Sequence, residues 1–283
     1  YLELFGQLGG LLVAFLGLWY LRRFLLLYYD DPVVAIALLL LVLASNYLNY
    51  AAIDCGMSHS WLFTIYVLLL LNTHHFYNTF RAKYAVRAGL LVGLATLTRP
   101  TDILSCMIPL LWGMESISPL AIRERLKLFA RKYRLFAIAV VCAMLVVSIQ
   151  LAYWKHVSGH WLVYSYAGQE FSWTTPHFLD YTFSYKSGWL LYCPVMICAF
   201  AGLIPFLLQG KNKVAVVSFL ILNFYVVSAW DIWWYGGRAM VQSYPVLMLP
   251  FCALVAATLQ KRFTTALGAI FAIGFLYYNT WIT

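Results

Sequence analysis

The stretch WDIWWYGGRAMVQSYP, residues 230–245, places an acidic and a basic side chain close together among apolar and aromatic residues. Asp231 and Arg238 flank Gly236–Gly237, a pair that permits a tight reversal of the chain. An ionisable side chain at membrane depth costs about 2.5–3.5 kcal/mol, so it usually faces a cavity or an ionic partner. Two interpretations are open: the two charges pair and close a hairpin, or they border a pocket for a charged ligand.

A second polar group lies in GLATLTRPTDIL, residues 93–104. Pro100 is expected to end one helix, and Thr101 or Asp102 can act as the N-cap of the next. Arg99 is thereby held at a helix boundary, where a fixed guanidinium suits bidentate binding of phosphate. A local Arg99–Asp102 pair is the alternative interpretation.

Two further groups carry ionisable side chains in otherwise apolar surroundings. NYAAIDCGMSHSW contains Asp54 and His59, and SYKSGWLLY contains Lys186. Trp234 and Tyr235, next to the two glycines, are expected to contact the same ligand as these polar groups. The six cysteines form no C-x-x-C pair and no set with zinc-ligand spacing, so the sequence predicts no metal site.

The composition indicates which elements must position these residues. Hydrophobic residues make up 64% of the 283 and charged residues 10%, against about 25% charged in a soluble domain. Successive apolar windows of about 20 residues are long enough to cross a bilayer as helices. The sequence predicts an all-α, polytopic transmembrane helical bundle that forms a single domain over residues 1–283. The ten predicted spans are 6–27, 33–52, 60–76, 84–98, 101–117, 135–155, 188–209, 213–231, 240–259 and 264–282.

The basic residues predict the orientation of these spans. With Tyr1 outside the cytoplasm, fifteen of the 19 Lys and Arg residues fall in inner loops, a strong positive-inside signal. The outer four are Arg99, Lys155, Lys186 and Arg238. The basic run RERLKLFARKYR is expected to lie at an anionic cytoplasmic leaflet, with no need for nucleic acid.

The longest outer segment, residues 156–187, mixes aromatic and polar residues and never reaches spanning length. We expect short amphipathic helices there, lying along the outer interface. The motif GLLVG at 89–93 has the G-x-x-x-G spacing that allows two helices to approach closely.

The predicted orientation places the candidate residues on one side of the membrane. Arg99, Lys186 and Arg238 share that side with Asp54 and Asp231, among many Trp and Tyr residues. Cations and carboxylates at one membrane surface suit an amphiphilic substrate that carries phosphate.

Three stretches resemble a known family: GLLVGLATLTRPTDIL, YSYAGQEFSWTTPHFLDYTFSYKSGWLLYCPVMICAFAGL and WDIWWYGGRAMVQSYP. They are similar to bacterial integral-membrane glycosyltransferases of the GT-C superfamily, relatives of the protein O-mannosyltransferases and of the aminoarabinose transferase of lipid A. The resemblance implies transfer of a sugar from a polyprenyl-phosphate carrier to a glycan, lipid or protein acceptor on the outer face of the bacterial inner membrane.

The resemblance also implies roles for individual residues. Arg99, Lys186 and Arg238 become candidates for stabilising the departing phosphate, and an acceptor needs a carboxylate base. In the family that base lies in the first outer loop, which we expect to precede residue 1 here. Asp54 and Asp231 are then the remaining carboxylate candidates, and the chain is a fragment of the enzyme or an inactive relative.

Other functions stay open at this point. A lipid or lipid-linked-sugar transporter would use broken helices near the midplane, which the short spans around Pro100 could supply. A non-catalytic membrane subunit would bind another membrane protein instead. A divalent metal requirement is compatible with either enzyme or transporter, but no residue pattern supports it.

Overall fold

The computed structural model describes residues 2–54, 56–164, 168, 170–230 and 235–282, except the side chains of residues 2–4, 235 and 282. Within these residues the chain is helical and has no β-strand beyond one isolated bridge between Phe171 and Trp230. The prediction of the all-α class is therefore confirmed. The α-helices are α1 Leu2–Leu25, α2 Asp31–Leu43, α3 Ser58–Thr79, α4 Ala82–Thr98, α5 Met107–Leu111, α6 Pro119–Arg131, α7 Tyr133–Ser158, α8 Phe178–Phe183, α9 Trp189–Tyr192, α10 Val195–Ala201, α11 Leu203–Gln209, α12 Lys213–Ala229, α13 Tyr244–Leu259 and α14 Arg262–Ile282.

Three helical stretches of the described chain are long and apolar enough to cross a membrane: Phe5–Leu25, Tyr133–Ser158 and Gly236–Leu259. At a rise of about 1.5 Å per residue, each covers a hydrocarbon layer of about 30 Å. Shorter apolar helices accompany them at Asp31–Leu43, Pro100–Leu111, Val195–Gln209 and Lys213–Ala229.

The predicted helix over 33–52 is wrong as a continuous element. Helix α2 ends at Leu43, and a π-helical segment, Asn49–Ile53, follows. The Ser45 hydroxyl donates to the Leu41 carbonyl at 2.6 Å and accepts from the Tyr47 amide at 3.1 Å. Such bonds between side chain and backbone compete with the helical ladder, so the helix stops there.

Two more predicted spans, 101–117 and 188–209, are also interrupted. The first is a 3-10 segment, Pro100–Cys106, followed by the short α5. The second consists of α9, α10 and α11, with a break at Pro194; at Gly202, between α10 and α11, the backbone stays helical with φ −63° and ψ −18°. Proline lacks the amide that a helix interior needs, which explains the break.

The segment 156–187, predicted to lie outside the cytoplasm, differs from its predicted structure as well. Helix α7 reaches Ser158, and Gly159 ends it with a left-handed φ of 77°. In the described part of 159–187, α8 is the only helix, so several interfacial helices are not found. The loop instead caps the end of α12, because the amides of Ser172 and His177 donate to the carbonyls of Ala229 and Ser228 at 2.7 and 2.9 Å.

The chain divides into two compact units. Unit 1 comprises residues 1–67, 171–211 and 224–283. Its centre is α13, which is buried along most of its length and packs against α2, α10 and α11. Pro250 lies inside α13, and Gly202 packs on it so closely that a Cβ there would lie 2.1 Å from the Pro250 carbonyl oxygen.

Unit 2 comprises residues 68–170 and 212–223. Its main helix pair is α4 with α7. A Cβ on Gly89 would lie 2.1 Å from the Ala139 oxygen, and one on Gly93 would lie 2.8 Å from the Val146 Cβ. The close approach predicted from GLLVG is therefore confirmed.

Candidate functional site

The turn between α12 and α13 is fixed by two glycines in unit 1. In the 3-10 segment Tyr235–Ser243, Gly236 and Gly237 have left-handed φ values of 60° and 61°. The Asn46 side-chain amide donates to the Gly236 carbonyl at 2.6 Å, and the Tyr181 hydroxyl donates to the Gly237 carbonyl at 3.0 Å. Because both glycines are buried and both carbonyls are bonded, the direction in which the following residues leave the turn is set.

A buried relay of hydrogen bonds lies behind this turn. The Trp189 indole donates to the Tyr244 hydroxyl at 3.0 Å, and that hydroxyl donates to Asn46 Oδ1 at 2.6 Å. The Asn46 backbone amide donates to the Cys193 sulfur at 3.2 Å. All four residues are at most 2% exposed, so each hydrogen bond is made where water cannot replace it.

The turn places the segment that carries Arg238 beside the segment that carries His59, another of the predicted site residues. Half-buried Arg238 directs Nη1 to within 3.5 Å of the Met57 sulfur. Four residues later, Gln242 places Oε1 3.3 Å from Nδ1 of His59, which is 5% exposed. The Tyr50 ring lies 5.4 Å from the His59 ring. We name these five residues the Arg238–His59 cluster.

The cluster combines a permanent cation with an oriented imidazole. The contact between Gln242 Oε1 and Nδ1 holds the His59 ring in one orientation. A guanidinium and an imidazole on adjacent segments, beside an aromatic ring, suit an anionic group that is attached to a sugar or a lipid.

Asp54 leads into the cluster through its backbone. Its amide donates to the Asn49 carbonyl at 2.7 Å, which closes the π-helical segment, and its carbonyl accepts from the Met57 amide at 3.2 Å. The side chain is partly exposed. The loop that contains Asp54 thus places Met57 beside Arg238 and leads into α3, whose first turn places His59 beside Gln242.

Lys186 lies in unit 1 in an exposed turn between α8 and α9. Ser184 shapes this turn, since its carbonyl accepts from the Gly188 amide at 2.8 Å and its hydroxyl from the Ser187 amide at 3.3 Å. Helix α9 packs on the Tyr235–Ser243 segment, so the Lys186 turn belongs to the same part of unit 1 as the Gly236–Gly237 turn.

Arg99 belongs to unit 2, where it directly follows α4 in an extended conformation. Its amide donates to the Ala95 carbonyl and its carbonyl accepts from the Asp102 amide, both at 2.9 Å. The predicted helix boundary is confirmed, but the next helical segment begins at Pro100 itself, earlier than the predicted caps Thr101 and Asp102.

The remaining candidates lie outside the described residues: Asp231, Trp234 and the side chain of Tyr235. In the part of the chain that the structure covers, no group of three or more His, Cys, Asp or Glu side chains could hold a metal ion.

Sequence reasoning missed Gln242, Asn46 and Tyr244. Gln242 stands inside the quoted stretch WDIWWYGGRAMVQSYP, four residues after Arg238. A polar amide just before an apolar helix is a signal that could have been used. Asn46 and Tyr244 offered no such signal, because their importance comes from partners that are remote in sequence.

Comparison of the chain with protein-family models, with curated proteins and with solved structures found no significant match.

Proposed function

We propose that the chain is part of a multi-pass bundle of about ten spans in the bacterial inner membrane, and that it transfers a sugar. The donor is a polyprenyl-phosphate-linked sugar, and the acceptor is a glycan, lipid or protein at the extracytoplasmic face. The proposal is supported by the resemblance of three stretches to GT-C glycosyltransferases, by the apolar composition and by three helices long enough to cross a membrane.

The observation that supports the activity best is the Arg238–His59 cluster. When a sugar leaves a polyprenyl phosphate, negative charge builds on the phosphate oxygens, and a preorganised cation stabilises it. Arg238 is preorganised because the buried glycine turn fixes the backbone on its N-terminal side. In this proposal Arg238 binds the phosphate, and His59 hydrogen-bonds the sugar or the phosphate, oriented by Gln242.

The roles of the other candidates follow from their positions. Lys186 contributes a second cation from its exposed turn in the same unit. Arg99, which lies in unit 2, stays a candidate phosphate ligand from the sequence alone. Asp54 is the described carboxylate nearest in sequence to the cluster, which makes it the candidate base to test first.

The test is a transfer assay on the full-length protein with a radiolabelled polyprenyl-phosphate sugar. Arg238→Ala is expected to lower kcat by about 10²–10³, the cost of losing one preorganised charge-stabilising group. Arg238→Lys keeps the positive charge but lacks the planar guanidinium, so its kcat should lie between that of the wild type and that of Arg238→Ala. Arg22→Ala is the matched control, because Arg22 is an exposed arginine of the same unit that pairs with Asp31 at 2.6 Å.

The outcome is decided by the comparison of these variants. If Arg238→Ala turns over as fast as Arg22→Ala, Arg238 does not act on the phosphate and the glycosyltransferase proposal loses its main support. If Arg238→Ala is impaired while its melting temperature is unchanged, the loss belongs to the reaction and not to the fold.

A lipid-linked-sugar transporter is the second candidate, favoured by the interrupted helices. The breaks after Leu43 and at Pro194 are of the discontinuous type that transporters use around their substrates. Proteoliposomes containing a fluorescent polyprenyl-phosphate sugar distinguish the two candidates. Transbilayer movement without sugar transfer supports the transporter, and sugar transfer without movement supports the enzyme.

A further inference from the structure

Helix α6, Pro119–Arg131, has the sequence PLAIRERLKLFAR and has no buried residue. Its start is well defined: Ser118 caps it by accepting from the Ala121 amide at 3.2 Å, and Pro119 occupies the first turn. A capped helix that buries none of its side chains has a surface left for another partner.

One side of α6 is attached to unit 2 through Arg125. Its Nη1 donates to the Tyr77 hydroxyl at 2.6 Å, and its Nη2 donates to the Trp112 carbonyl. The guanidinium also lies 5.2 Å from the centre of the Tyr77 ring and 5.9 Å from that of Phe129. Arg125 is thus hydrogen-bonded within unit 2. Its side of α6 faces the rest of the unit, and the other sides of the helix stay exposed.

The outside of α6 carries a basic edge. Arg123, Lys127 and Arg131 recur every four residues, so they form one line along the helix, and all three are exposed. Glu124 lies next to this line of basic residues, and its carboxylate pairs with Lys127 at 2.6 Å. The pKa of the Glu124 carboxyl is lowered, chiefly by the hydrogen bond and charge of Lys127 and further by Arg131 and Arg123, as expected beside a positive edge.

An apolar edge runs beside the basic one. Ile122 and Leu126, again four residues apart, are 42% and 61% exposed. Exposed apolar side chains next to a row of cations are typical of a helix that lies in a membrane interface. Binding to a nucleic-acid backbone would use the cations but would leave the apolar edge in water.

We propose that α6 is a binding surface for anionic phospholipid, with Arg123, Lys127 and Arg131 on lipid phosphates and Ile122 and Leu126 among the upper acyl chains. This goes beyond the proposed sugar transfer and does not depend on it. The surface selects anionic over zwitterionic lipid, because its contacts are cationic and only one carboxylate, Glu124, lies among them.

The experiment uses the intact protein in detergent with two short-chain lipids, dioctanoyl phosphatidylglycerol and dioctanoyl phosphatidylcholine, and measures bound lipid by native mass spectrometry. The triple variant Arg123→Gln, Lys127→Gln, Arg131→Gln should bind phosphatidylglycerol about 100-fold more weakly, which is about 1 kcal/mol for each lost charge. Glu124→Gln removes the competing carboxylate and should bind about fivefold more tightly. This opposite sign cannot arise from a folding defect.

The matched control changes the same number of exposed charges elsewhere: Lys211→Gln, Lys261→Gln, Arg262→Gln. It should retain wild-type affinity for phosphatidylglycerol. The proposal is overturned if this control loses as much affinity as the α6 variant, if phosphatidylcholine binds as tightly as phosphatidylglycerol, or if Glu124→Gln leaves binding unchanged. Displacement of phosphatidylglycerol by an equimolar single-stranded oligonucleotide would also overturn it, in favour of a nucleic-acid surface.

Discussion

The two glycines of the Arg238 turn provide a sharp test of how the site is built, because they share a conformation and differ in their surroundings. Both have φ near +60°. A Cβ on Gly236 would have the Asn46 amide nitrogen as its nearest neighbour, at 3.1 Å. A Cβ on Gly237 would lie 2.4 Å from the Trp189 Cβ and 2.9 Å from the Tyr181 hydroxyl oxygen.

The expected costs follow from these distances. Alanine in a left-handed conformation costs about 1–2 kcal/mol, offset by about 0.4–1 kcal/mol through the less flexible unfolded chain. Gly236→Ala should therefore cost about 1 kcal/mol. Gly237→Ala adds about 1–3 kcal/mol of overpacking, since the Trp189 Cβ cannot move without its backbone, and about 1 kcal/mol for the disturbed Tyr181 bond. Its total is about 4 kcal/mol.

The assay is thermal unfolding of the purified protein in detergent, followed by tryptophan fluorescence. At about 2–4 °C per kcal/mol, Gly236→Ala should melt a few degrees below wild type and Gly237→Ala about 10 °C below it. A Gly237→Ala protein that melts together with Gly236→Ala would refute the reasoning. It would mean that α9 moves away from the turn at little cost, so that Arg238 is not held in one position.

Two further predictions concern packing around the turn and use the same assay. Tyr244→Phe should cost about 2–4 kcal/mol, because the Trp189 indole and an amide oxygen lose their partner in a fully buried place; a loss below about 0.5 kcal/mol would contradict this. Gly202→Ala should cost at least about 1–3 kcal/mol, because its Cβ would meet the Pro250 carbonyl, which is backbone and cannot rotate away. Gly274→Ala, where a Cβ meets nothing within 4 Å, is the matched control and should melt at or slightly above wild type.

Continuous apolar helices and the helix boundary at Pro100 were predictable from the sequence, whereas the interruptions inside other predicted spans were not. The predicted spans 135–155 and 264–282 correspond to α7 and α14 within a few residues, because hydropathy alone defines such helices. The break after Leu43 could not be foreseen from hydropathy, since it depends on the bonds of the Ser45 hydroxyl to the Leu41 carbonyl and the Tyr47 amide. Pro250 itself looks like a helix breaker in sequence, yet α13 continues through it.

The candidate site was predictable in its residue types but not in its contacts. The Gly-Gly pair and the isolated Arg238 were visible as exceptions in apolar sequence, and so was His59. His59 lies beside Gln242, and Arg238 beside Met57, because the start of α3 and the residue before it meet the 3-10 segment Tyr235–Ser243. Periodicity and composition carry no information about such pairings between distant segments.

The relay behind the turn has a polarity that is set from one end. The Gly236 carbonyl can only accept, so the Asn46 side chain must turn its NH₂ towards that carbonyl and its Oδ1 towards Tyr244. The Tyr244 hydroxyl then donates its single hydrogen to the Asn46 oxygen and accepts from the Trp189 indole on a lone pair. One backbone carbonyl of the glycine turn therefore determines which way an asparagine faces and where a tyrosine hydroxyl, one bond further away, directs its hydrogen.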